Sequence, residues 1–426
     1  MVGLLLPNSW QFIEAYLAIL KLGHIAMPLD PTFKRLEIEA VLNQIPAELI
    51  ITDDSYSGLL TKFQSKVILF GDMGQTSDAK TKDYKALRLP AGQQIASLVF
   101  TSGTTGQPKA APYTHRNHIW NIEVCSKIWN WTADDSLLIS LPLSHWYGIV
   151  MGLSGIIYHG NSLYLQDWFD EQKTLRALAS GQITMFTHIA TIYSLLVTAE
   201  GDYDLSAVRL CISGGAALPP PVWQQFKDRF GQAILECYGS SETGRIASNL
   251  LNERIPGSPG RVLDGVDLKL GPEGEVTIKS EGVFPGYWQN QSATKAAYTA
   301  DGHWRTGDIG QFENGRIILK GRIQERIRRF GYTISPRDVE WALHQSPGIQ
   351  EVYVLGVQHP DQANDELVYF VKADLDTTQI LDYVHSNLPF AWRTENIILV
   401  DSIPRTKNSK PKLGELNKMA KEYLGA

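Results

Sequence analysis

The sequence predicts an α/β fold with a large amino-terminal domain of parallel sheets and flanking helices, which includes a small β-rich subdomain. An α+β carboxyl-terminal domain follows it. Three observations predict this fold. A chain of 426 residues is too long for one ordinary core. Short apolar segments alternate with longer amphipathic ones over the first half of the chain. Near residue 255 Gly and Pro become frequent, and short alternating strands follow.

The predicted strands of the amino-terminal domain are apolar runs without two-residue alternation, which is typical of strands covered on both faces. They begin at residues 2, 48, 97, 183, 208 and 233, with the sequences VGLLL, ELIITD, SLVFTS, ITMF, VRLCIS and AILECY. Helical patterns lie between them, for example WQFIEAYLAILKL, TLRALAS, TIYSLLVTA and PPVWQQFKDRF. This order predicts a parallel sheet with helices on both sides.

One segment, residues 136–166, contains no Asp, Glu, Lys or Arg, and includes the glycine spacing GIVMG that packs helices in lipid. Pro142, His145 and His159 interrupt it, so its apolar part is shorter than the ~20 residues of a membrane span. We interpret the segment as a buried strand, a short helix and a second buried strand, and we predict no membrane span.

The predicted domain boundary follows Gly321. Residues 1–321 form the amino-terminal domain, with the β-rich subdomain at about residues 255–321, and residues 322–426 form the carboxyl-terminal domain. After the charged run RIQERIRR, the last part of the chain has the pattern of a β-hairpin, a helix, two strands, a second helix and a basic tail.

Composition excludes several classes of function. The net charge is −6, from 39 basic and 45 acidic residues, so we expect neither nucleic acid nor an anionic membrane as a partner. The three cysteines are scattered without metal-binding spacing, which argues against a disulfide framework or a zinc site. The first residues lack the basic and cleavage regions of a signal peptide. We predict a cytoplasmic protein with a small-molecule substrate, and its oligomeric state is left open.

The segment at residues 101–109, TSGTTGQPK, follows a predicted strand and combines hydroxyls, glycines and a lysine. Glycines let the backbone approach a bulky anion, hydroxyls donate to phosphate oxygens, and Lys109 adds a positive charge. The spacing differs from a Walker A loop. These features favour a phosphate-binding loop, and a polar surface loop is the alternative.

Two further segments follow predicted strands, where open α/β sheets bind ligands. In YGSSETG, Tyr238 offers a ring face for a base and Glu242 a carboxylate ligand for Mg²⁺. The alternative for Glu242 is a solvated loop carboxylate. The small residues of SGGAAL, which starts at Ser213, would let a planar ligand approach closely, or would form a tight turn.

Together these segments resemble the adenylate-forming superfamily, which includes acyl-CoA synthetases, aryl-CoA ligases, luciferases and the adenylation domains of peptide synthetases. TSGTTGQPK matches the phosphate loop of that family, and further motifs follow in the family's order over almost the whole chain. The resemblance implies ATP and Mg²⁺ as cofactors, and coenzyme A or a carrier-protein phosphopantetheine as the thiol. It also implies a mobile carboxyl-terminal domain that rotates between two half-reactions.

The ATP-binding residues implied by the resemblance lie in six separate segments. They are Thr101, Ser102, Gly103, Thr104, Thr105, Gly106, Lys109, Gly214, Gly215, Ala216, Tyr238, Gly239, Ser240, Ser241, Asp308, Arg322 and Lys410. By resemblance Tyr238 lies against adenine, Asp308 binds the ribose hydroxyls and Glu242 holds the metal. Lys410, in PRTKNSKPKL, takes the place of the lysine that enters the active site during adenylation. Lys407 and Lys412 are close competitors for that role.

The segment PLSHWYG matches the acyl-binding part of the family. The predicted substrate-binding residues are His145, Trp146, Tyr147, His188, Gly214 and Gly215. His145 is also counted with Lys109, Glu242 and Lys410 as a predicted catalytic residue, although a lone histidine is more often a core residue. The uncharged segment lacks the aspartate of members that activate amino acids, which favours a carboxylate without a free α-amine. The pocket residues themselves suggest an apolar acid, either aryl or medium-chain aliphatic. By resemblance, Gln324 stands at the hinge position between the domains, and Gly331 lines the coenzyme A tunnel.

The predicted function is ATP-dependent activation of a carboxylic acid to acyl-AMP with release of pyrophosphate, followed by transfer to coenzyme A. One alternative is a ligase that loads the pantetheine of a carrier protein. Another is a degenerate member that binds nucleotide or a partner without turnover. Ala110, Gln324 and Ser409 depart from the family pattern and keep this last alternative open. So does the start of the chain, which matches a segment that family members reach after an additional amino-terminal stretch.

Overall fold

The computed structural model describes residues 1–63, 66–73, 91–101, 109–330, 332–358, 365–406 and 411–425. The chain divides into two units. The first comprises Met1–Leu218, Val222–Leu268 and Ile278–Trp304, and the second comprises Pro219–Pro221, Lys269–Thr277 and Arg305–Ala426. The predicted boundary between residues 321 and 322 stays a prediction.

The first sheet of the first unit has six strands in the order β4-β3-β1-β2-β5-β6. They are β1 Val2–Leu5, β2 Ala26–Pro28, β3 Leu49–Thr52, β4 Lys66–Leu69, β5 Ile95–Thr101 and β6 Lys109–Thr114. The helices that accompany them are α1 Trp10–Lys21, α2 Arg35–Gln44, α3 Asp54–Ser57, α4 Phe70–Met73 and α5 His115–Trp129. All neighbours pair in parallel except β5 and β6, which are antiparallel.

Local sequence explains where the helices of this sheet begin. Ser9 caps α1 by accepting a hydrogen bond from the backbone N–H of Phe12. Thr114 caps α5 in the same way: its hydroxyl accepts from Asn117 N at 3.1 Å, and the Asn117 side chain accepts from Thr114 N at 2.9 Å. The buried side chains of α1 recur at three- and four-residue spacing and cover one face of the sheet.

The second sheet of this unit has seven strands in the order β13-β12-β11-β10-β9-β7-β8. They are β7 Ser136–Ile139, β8 Ser162–Leu165, β9 Met185–His188, β10 Leu210–Ser213, β11 Ile234–Ser240, β12 Gly244–Ser248 and β13 Arg261–Val262. The further helices are α6 Gly155–His159, α7 Glu171–Leu178, α8 Ala190–Thr198, α9 Pro220–Phe230 and α10 Gln291–Ala297. Strands β7 to β11 are parallel, so their carboxyl ends lie at one edge. Strands β12 and β13 are antiparallel additions.

The uncharged segment at residues 136–166 forms β7, a π-helix at Tyr147–Ser154, α6 and β8. This confirms the predicted order of strand, helix and strand, with a π-helix where a short helix was expected. The glycines serve close packing within the protein, because a Cβ on Gly152 would lie 2.1 Å from Ile139 Cδ1. A helix long and apolar enough to span a membrane is not found in the described part of the chain.

The second unit carries a four-stranded sheet, a hairpin and a three-stranded sheet with helices. Its strands are β14 Asp267–Leu270, β15 Glu275–Lys279, β16 Trp304–Glu313, β17 Arg316–Arg322, β18 Ile327–Arg329, β19 Tyr332–Ile334, β20 Ile349–Val357, β21 Glu366–Ala373 and β22 Ile397–Leu399. Its helices are α11 Pro336–Leu343, α12 Thr377–Asn387 and α13 Leu413–Leu424. Strands β20 and β21 are antiparallel, and β22 joins β21 in parallel.

The predicted α/β class is confirmed, with parallel sheets in the large amino-terminal part and a β/α carboxyl-terminal part. Several elements were not predicted, among them the strands β2, β4, β6, β12, β13 and β22 and the helices α2, α10 and α13. The segment expected to be a basic tail instead contains α13, because Leu416 and Ala420 recur at helical spacing and are buried, whereas its charged residues face outward.

Candidate active site

The predicted phosphate loop connects the antiparallel strands β5 and β6, whose terminal residues Thr101 and Lys109 are partners in the strand register. The intervening loop residues Ser102, Gly103, Thr104, Thr105 and Gly106 lie outside the described residues. The role of the loop in phosphate binding stays a prediction.

Lys109, Tyr287 and Glu242 form a connected polar row. Lys109 Nζ lies 5.0 Å from the centre of the Tyr287 ring, within the range of a cation–π interaction. The Tyr287 hydroxyl donates to Glu242 Oε1 at 3.3 Å. The structure thus brings the predicted phosphate-loop lysine and the predicted metal ligand to either side of one aromatic ring. Burial, together with the Glu242 carboxylate, raises the pKa of Tyr287, so the phenol stays protonated as a donor.

Tyr287 is a residue that sequence reasoning missed. Its segment is held against the phosphate-loop strand, because Trp288 N donates to Ala110 O at 2.9 Å. Asn117 of α5 supports the same segment, donating from Nδ2 to the carbonyls of Glu281 and Val283 at 2.7 and 3.2 Å. The only sequence signal was a cluster of aromatic residues around GYW, and that cluster carries no indication of a catalytic neighbour.

The Glu242 carboxylate stands in the tight turn between β11 and β12. Ser240 Oγ accepts from Glu242 N at 3.2 Å, Thr243 Oγ1 accepts from Ser240 N at 2.9 Å, and Phe284 N donates to Glu242 O at 3.0 Å. Gly244 has φ +65° and its Cβ position lies 2.3 Å from Asn121 Oδ1, so only glycine fits there. The turn therefore fixes the backbone position from which the carboxylate extends.

The carboxyl ends of β9, β10 and β11 bring together His188, Gly214 and Tyr238, three of the predicted site residues. Gly214 N donates to His188 O at 3.1 Å. Gly215 follows with φ +80°, Ala216 is exposed, and the Tyr238 side chain is buried. Gly239, Ser240 and Ser241 continue from Tyr238 into the turn that carries Glu242.

His188 is buried and both of its ring nitrogens have partners. Ile189 N donates to Nδ1 at 3.0 Å, so Nε2 carries the proton and donates to Ser140 Oγ at 3.1 Å. Burial lowers the pKa of His188 to about 3, and the ring is therefore neutral. These bonds orient the strand end, and a direct substrate contact by His188 stays a prediction.

His145 lies near an aspartate from the first sheet. Its Nε2 is 3.3 Å from Asp30 Oδ2. Burial acts to raise the pKa of Asp30. His145 and the backbone N–H of Thr32 together lower that pKa by more than burial raises it, so the net shift is downward. The carboxylate thus stays ionised beside the imidazole ring.

Trp146 is buried and Tyr147 is half-buried, and both lie beside Arg245, which sequence reasoning also missed. The guanidinium of Arg245 lies 4.3 Å from the Tyr147 ring centre and 5.6 Å from that of Trp146. The Tyr147 hydroxyl shares a hydrogen bond of 2.6 Å with Thr187 Oγ1. Arg245 lies on β12 opposite Gly239, and its backbone N donates to Asn121 Oδ1 at 2.7 Å. An arginine within the strand pattern RIAS gave no functional signal by itself.

In the second unit, Asp308 and Arg322 face each other across β16 and β17. Arg322 Nε donates to Asp308 Oδ1 at 3.1 Å, so the two residues that the motifs selected form an ion pair. Gln324 is exposed in a short 3₁₀ turn at Ile323–Glu325. Gly331, Lys407, Ser409 and Lys410 lie outside the described residues. Lys412 pairs with Glu415 at 3.1 Å in the first turn of α13.

The side chains that could bind Mg²⁺ show whether this site suits the metal. Within the described ranges, no group of three or more His, Cys, Asp or Glu side chains is placed to hold a metal. Glu242 by itself offers one carboxylate. Mg²⁺ commonly takes one or two carboxylates together with substrate phosphates and water, so Glu242 fits a metal that arrives with ATP.

Comparison with known proteins identifies two matching family profiles: AMP-binding enzyme over residues 1–288, and the carboxyl-terminal domain of AMP-binding enzymes over residues 338–410. A mitochondrial malonate–CoA ligase of Mus musculus is 28% identical, covering 98% of this chain and 81% of its own length. A long-chain-fatty-acid–CoA ligase of Bacillus subtilis is 30% identical, with 86% and 75% covered. The crystal structure of ATP-bound MatB from Rhodopseudomonas palustris superimposes with a TM-score of 0.91 at 25% identity, covering 99% of this chain and 88% of that one.

Proposed function

This chain belongs to the family of AMP-binding enzymes, and on that premise we propose that it activates a carboxylic acid with ATP and passes the acyl group to coenzyme A. The family resemblance expected from the phosphate loop is thereby confirmed. The observation that carries the proposal is the row of Lys109, Tyr287 and Glu242. In this row a positively charged group and a candidate metal ligand lie close together, which supports binding of the ATP phosphates at this place.

The proposed reaction has two steps. A carboxylate oxygen of the acid attacks the α-phosphorus of ATP, and the bond to the β-phosphate oxygen breaks, giving acyl-AMP and pyrophosphate. The thiol sulfur of coenzyme A then attacks the acyl carbon, and AMP leaves. The first step joins two anions, so positioning and neutralisation of charge should dominate catalysis.

Each residue of the row has a separate task in this proposal. Lys109 provides positive charge beside the phosphates. Glu242 would hold Mg²⁺, which supplies further positive charge to the phosphate oxygens when bound. Tyr287 fixes the carboxylate of Glu242 by its hydrogen bond and supports Lys109 by its ring. Asp308 would accept from the ribose hydroxyls, with Arg322 holding its carboxylate.

The residues of the carboxyl-terminal part keep the roles that the resemblance implies. We assign Lys410 to the adenylation step, Gln324 to the hinge and Gly331 to the coenzyme A tunnel. A carrier-protein pantetheine as acceptor, a cytoplasmic location and a degenerate protein without turnover stay open hypotheses. The relatives act by name on acids as different as malonate and long-chain fatty acids, so their names leave the acid open.

The proposal is tested by incubating the full chain with ATP, Mg²⁺ and a panel of aliphatic and aryl acids, and by measuring pyrophosphate release and AMP. We expect release with at least one class of acid, and thioester formation when coenzyme A is added. Thioester formation on a carrier protein but not on coenzyme A would favour the carrier-protein alternative. Bound ATP without pyrophosphate release from any acid would show that the chain does not perform this reaction.

A further inference from the structure

Arg245 is buried in the first unit without acceptors for most of its guanidinium. It is 1% exposed, and its Nε and Nη2 find no hydrogen-bond partner among the residues that the structure describes. Arginine is always charged in proteins, and a buried charge without a counter-ion destabilises the folded state by several kcal/mol. A bound ligand can supply the missing acceptors.

The groups around this guanidinium are neutral. The Tyr147 and Trp146 rings lie against it, and the nearest thiols are those of Cys125 and Cys237. Burial raises the pKa of both thiols, that of Cys125 to about 12, so neither is a thiolate at neutral pH. An ion pair between Arg245 and a carboxylate is absent from the described residues. Among the residues that the structure describes, the charge of Arg245 therefore has no counter-ion.

Other partly buried arginines of the same unit are fully provided with acceptors. Arg209 pairs with the Asp135 carboxylate and also donates to the carbonyls of Trp129 and Asn130. Arg254 donates to the carbonyls of Ala233, Leu251 and Arg209. The unit thus satisfies arginines that only support structure, and Arg245 differs from them by lacking such acceptors.

The position of Arg245 coincides with the predicted acyl-binding region. It pairs in register with Gly239, the residue after Tyr238. A Cβ on Gly214 would lie 2.9 Å from Arg245 Nη1 and 3.2 Å from the Tyr147 hydroxyl, so the guanidinium stands directly against the glycine at the end of β10.

Two neutral groups in the same region also lack partners among the described residues. They are Trp146 Nε1 and Ser213 Oγ, and both side chains are buried. Trp146 stacks near the guanidinium, and Ser213 immediately precedes Gly214. Unpartnered donors around a cation suit a carboxylate, whose two oxygens accept several hydrogen bonds and can pair with a guanidinium through two parallel bonds.

We propose that the acid activated by this protein carries a second carboxylate, remote from the one that reacts, and that Arg245 binds this second carboxylate. This inference rests on the proposed function and replaces the expectation of an apolar acid. A monocarboxylic acid of the same shape would leave the buried guanidinium without an acceptor, and a site with an unpaired buried group rejects such a substrate strongly.

The wild-type protein provides the first test. Pyrophosphate release is measured with matched pairs in which a methyl group replaces one carboxylate: malonate with propionate, succinate with butyrate, glutarate with valerate, and phthalate with 2-methylbenzoate. We expect kcat/KM for the dicarboxylic member of at least one pair to exceed that of its partner by at least 100-fold. Equal or faster turnover of every monocarboxylic partner would overturn this inference and leave the proposed function standing. Failure of all acids would instead overturn the proposed function.

Variants then assign the preference to Arg245. In Arg245→Met, the ratio of kcat/KM between the dicarboxylic acid and its monocarboxylic partner should fall at least 100-fold, mostly because KM for the dicarboxylic acid rises. The ratio in Arg245→Lys should lie between those of the wild type and Arg245→Met. Arg254→Met is the matched control, since it removes a partly buried arginine that has protein acceptors, and it should keep the wild-type ratio. If Arg245 had only a structural role, its replacement would lower kcat/KM for both substrates alike and leave the ratio unchanged.

A measurement without turnover completes the test. The preferred dicarboxylic acid, added with AMP, should raise the Tm of the wild-type protein and of Arg254→Met, because it binds the folded state. It should not raise the Tm of Arg245→Met. An equal rise in all three proteins would contradict binding by Arg245.

Discussion

At the scale of single residues, the candidate site depends on side chains that hold other side chains. Tyr287 contacts both Lys109 and Glu242, and its hydroxyl is the donor that fixes one oxygen of the carboxylate. Carboxylates that bind Mg²⁺ are commonly oriented by such neighbours, and the loss of one typically weakens metal binding 10- to 100-fold. Tyr287 is therefore expected to act as a positioning residue.

We expect Tyr287→Phe to lower kcat for pyrophosphate release about tenfold and to raise the Mg²⁺ concentration needed for half-maximal rate. The ring that supports Lys109 is retained, so only the hydrogen bond to Glu242 is lost. Steady-state kinetics over a Mg²⁺ titration measures both effects.

Tyr298→Phe is the control for this variant, because the Tyr298 hydroxyl donates to the Phe284 carbonyl and its ring packs against the same tryptophan, Trp304. It should show the wild-type Mg²⁺ dependence. A Tyr287→Phe protein with an unchanged Mg²⁺ dependence would exclude the positioning role.

At the scale of elements, α5 connects the first sheet to the π-helix through a buried histidine. On α5, His118 Nε2 lies 3.0 Å from Ser97 Oγ of β5, and His118 Nδ1 lies 3.3 Å from Ser154 Oγ at the end of the π-helix. Burial lowers the pKa of His118 to about 3, with a smaller contribution from His115. The packing of these three elements therefore needs the neutral imidazole.

This predicts a pH dependence of stability with a defined sign. Below its ordinary pKa of 6.5, His118 takes up a proton in the unfolded chain that it does not take up when folded. The free energy of unfolding should therefore fall as the pH drops from about 6.5 towards 3, by up to about 1.4 kcal/mol per pH unit for this group.

Urea unfolding at pH 7 and pH 5 measures this effect. The wild-type protein should lose about 2 kcal/mol more than His118→Gln between these pH values. His24→Gln, which replaces an exposed histidine, should keep the wild-type pH dependence. The same loss in His118→Gln as in the wild type would mean that His118 titrates alike in the folded and unfolded chain.

At the scale of the whole molecule, the two half-reactions place different demands on the chain. The adenylation step joins anions and needs positive charge, whereas attack of a thiol on acyl-AMP does not create the same repulsion. The resemblance assigns the additional charge of the first step to Lys410, in the carboxyl-terminal part of the chain. The two steps should therefore be separable by mutation.

We expect Lys410→Ala to lower pyrophosphate release at least 100-fold and to retain thioester formation from supplied acyl-AMP and coenzyme A, because the charge is needed only for adenylation. Pre-steady-state assays of the two half-reactions distinguish these effects. Lys412→Ala is the matched control, since Lys412 pairs with Glu415 in α13 and should leave both rates near wild type. Equal loss of both half-reactions in Lys410→Ala would refute this role.

Sequence reasoning predicted the α/β class, the parallel strands and most helices, because burial on both faces and helical periodicity are local properties that a short segment displays. Among the elements it missed are β6, β22 and α13, whose formation depends on partners elsewhere in the chain. It also predicted the family from the order of motifs, which the comparisons confirm.

By itself the sequence determined the chemistry of the predicted site: a hydroxyl-rich glycine loop, a lysine, a turn carboxylate and the family to which they belong. Only the tertiary structure decided which side chains stand between and beside these groups. Tyr287 lies 45 residues after Glu242 and Arg245 lies in an ordinary strand pattern, so neither carries a local signal. Burial decides what such residues do, because a charge or hydroxyl removed from water must find a partner, and the folded chain alone shows whether the protein or a ligand provides it.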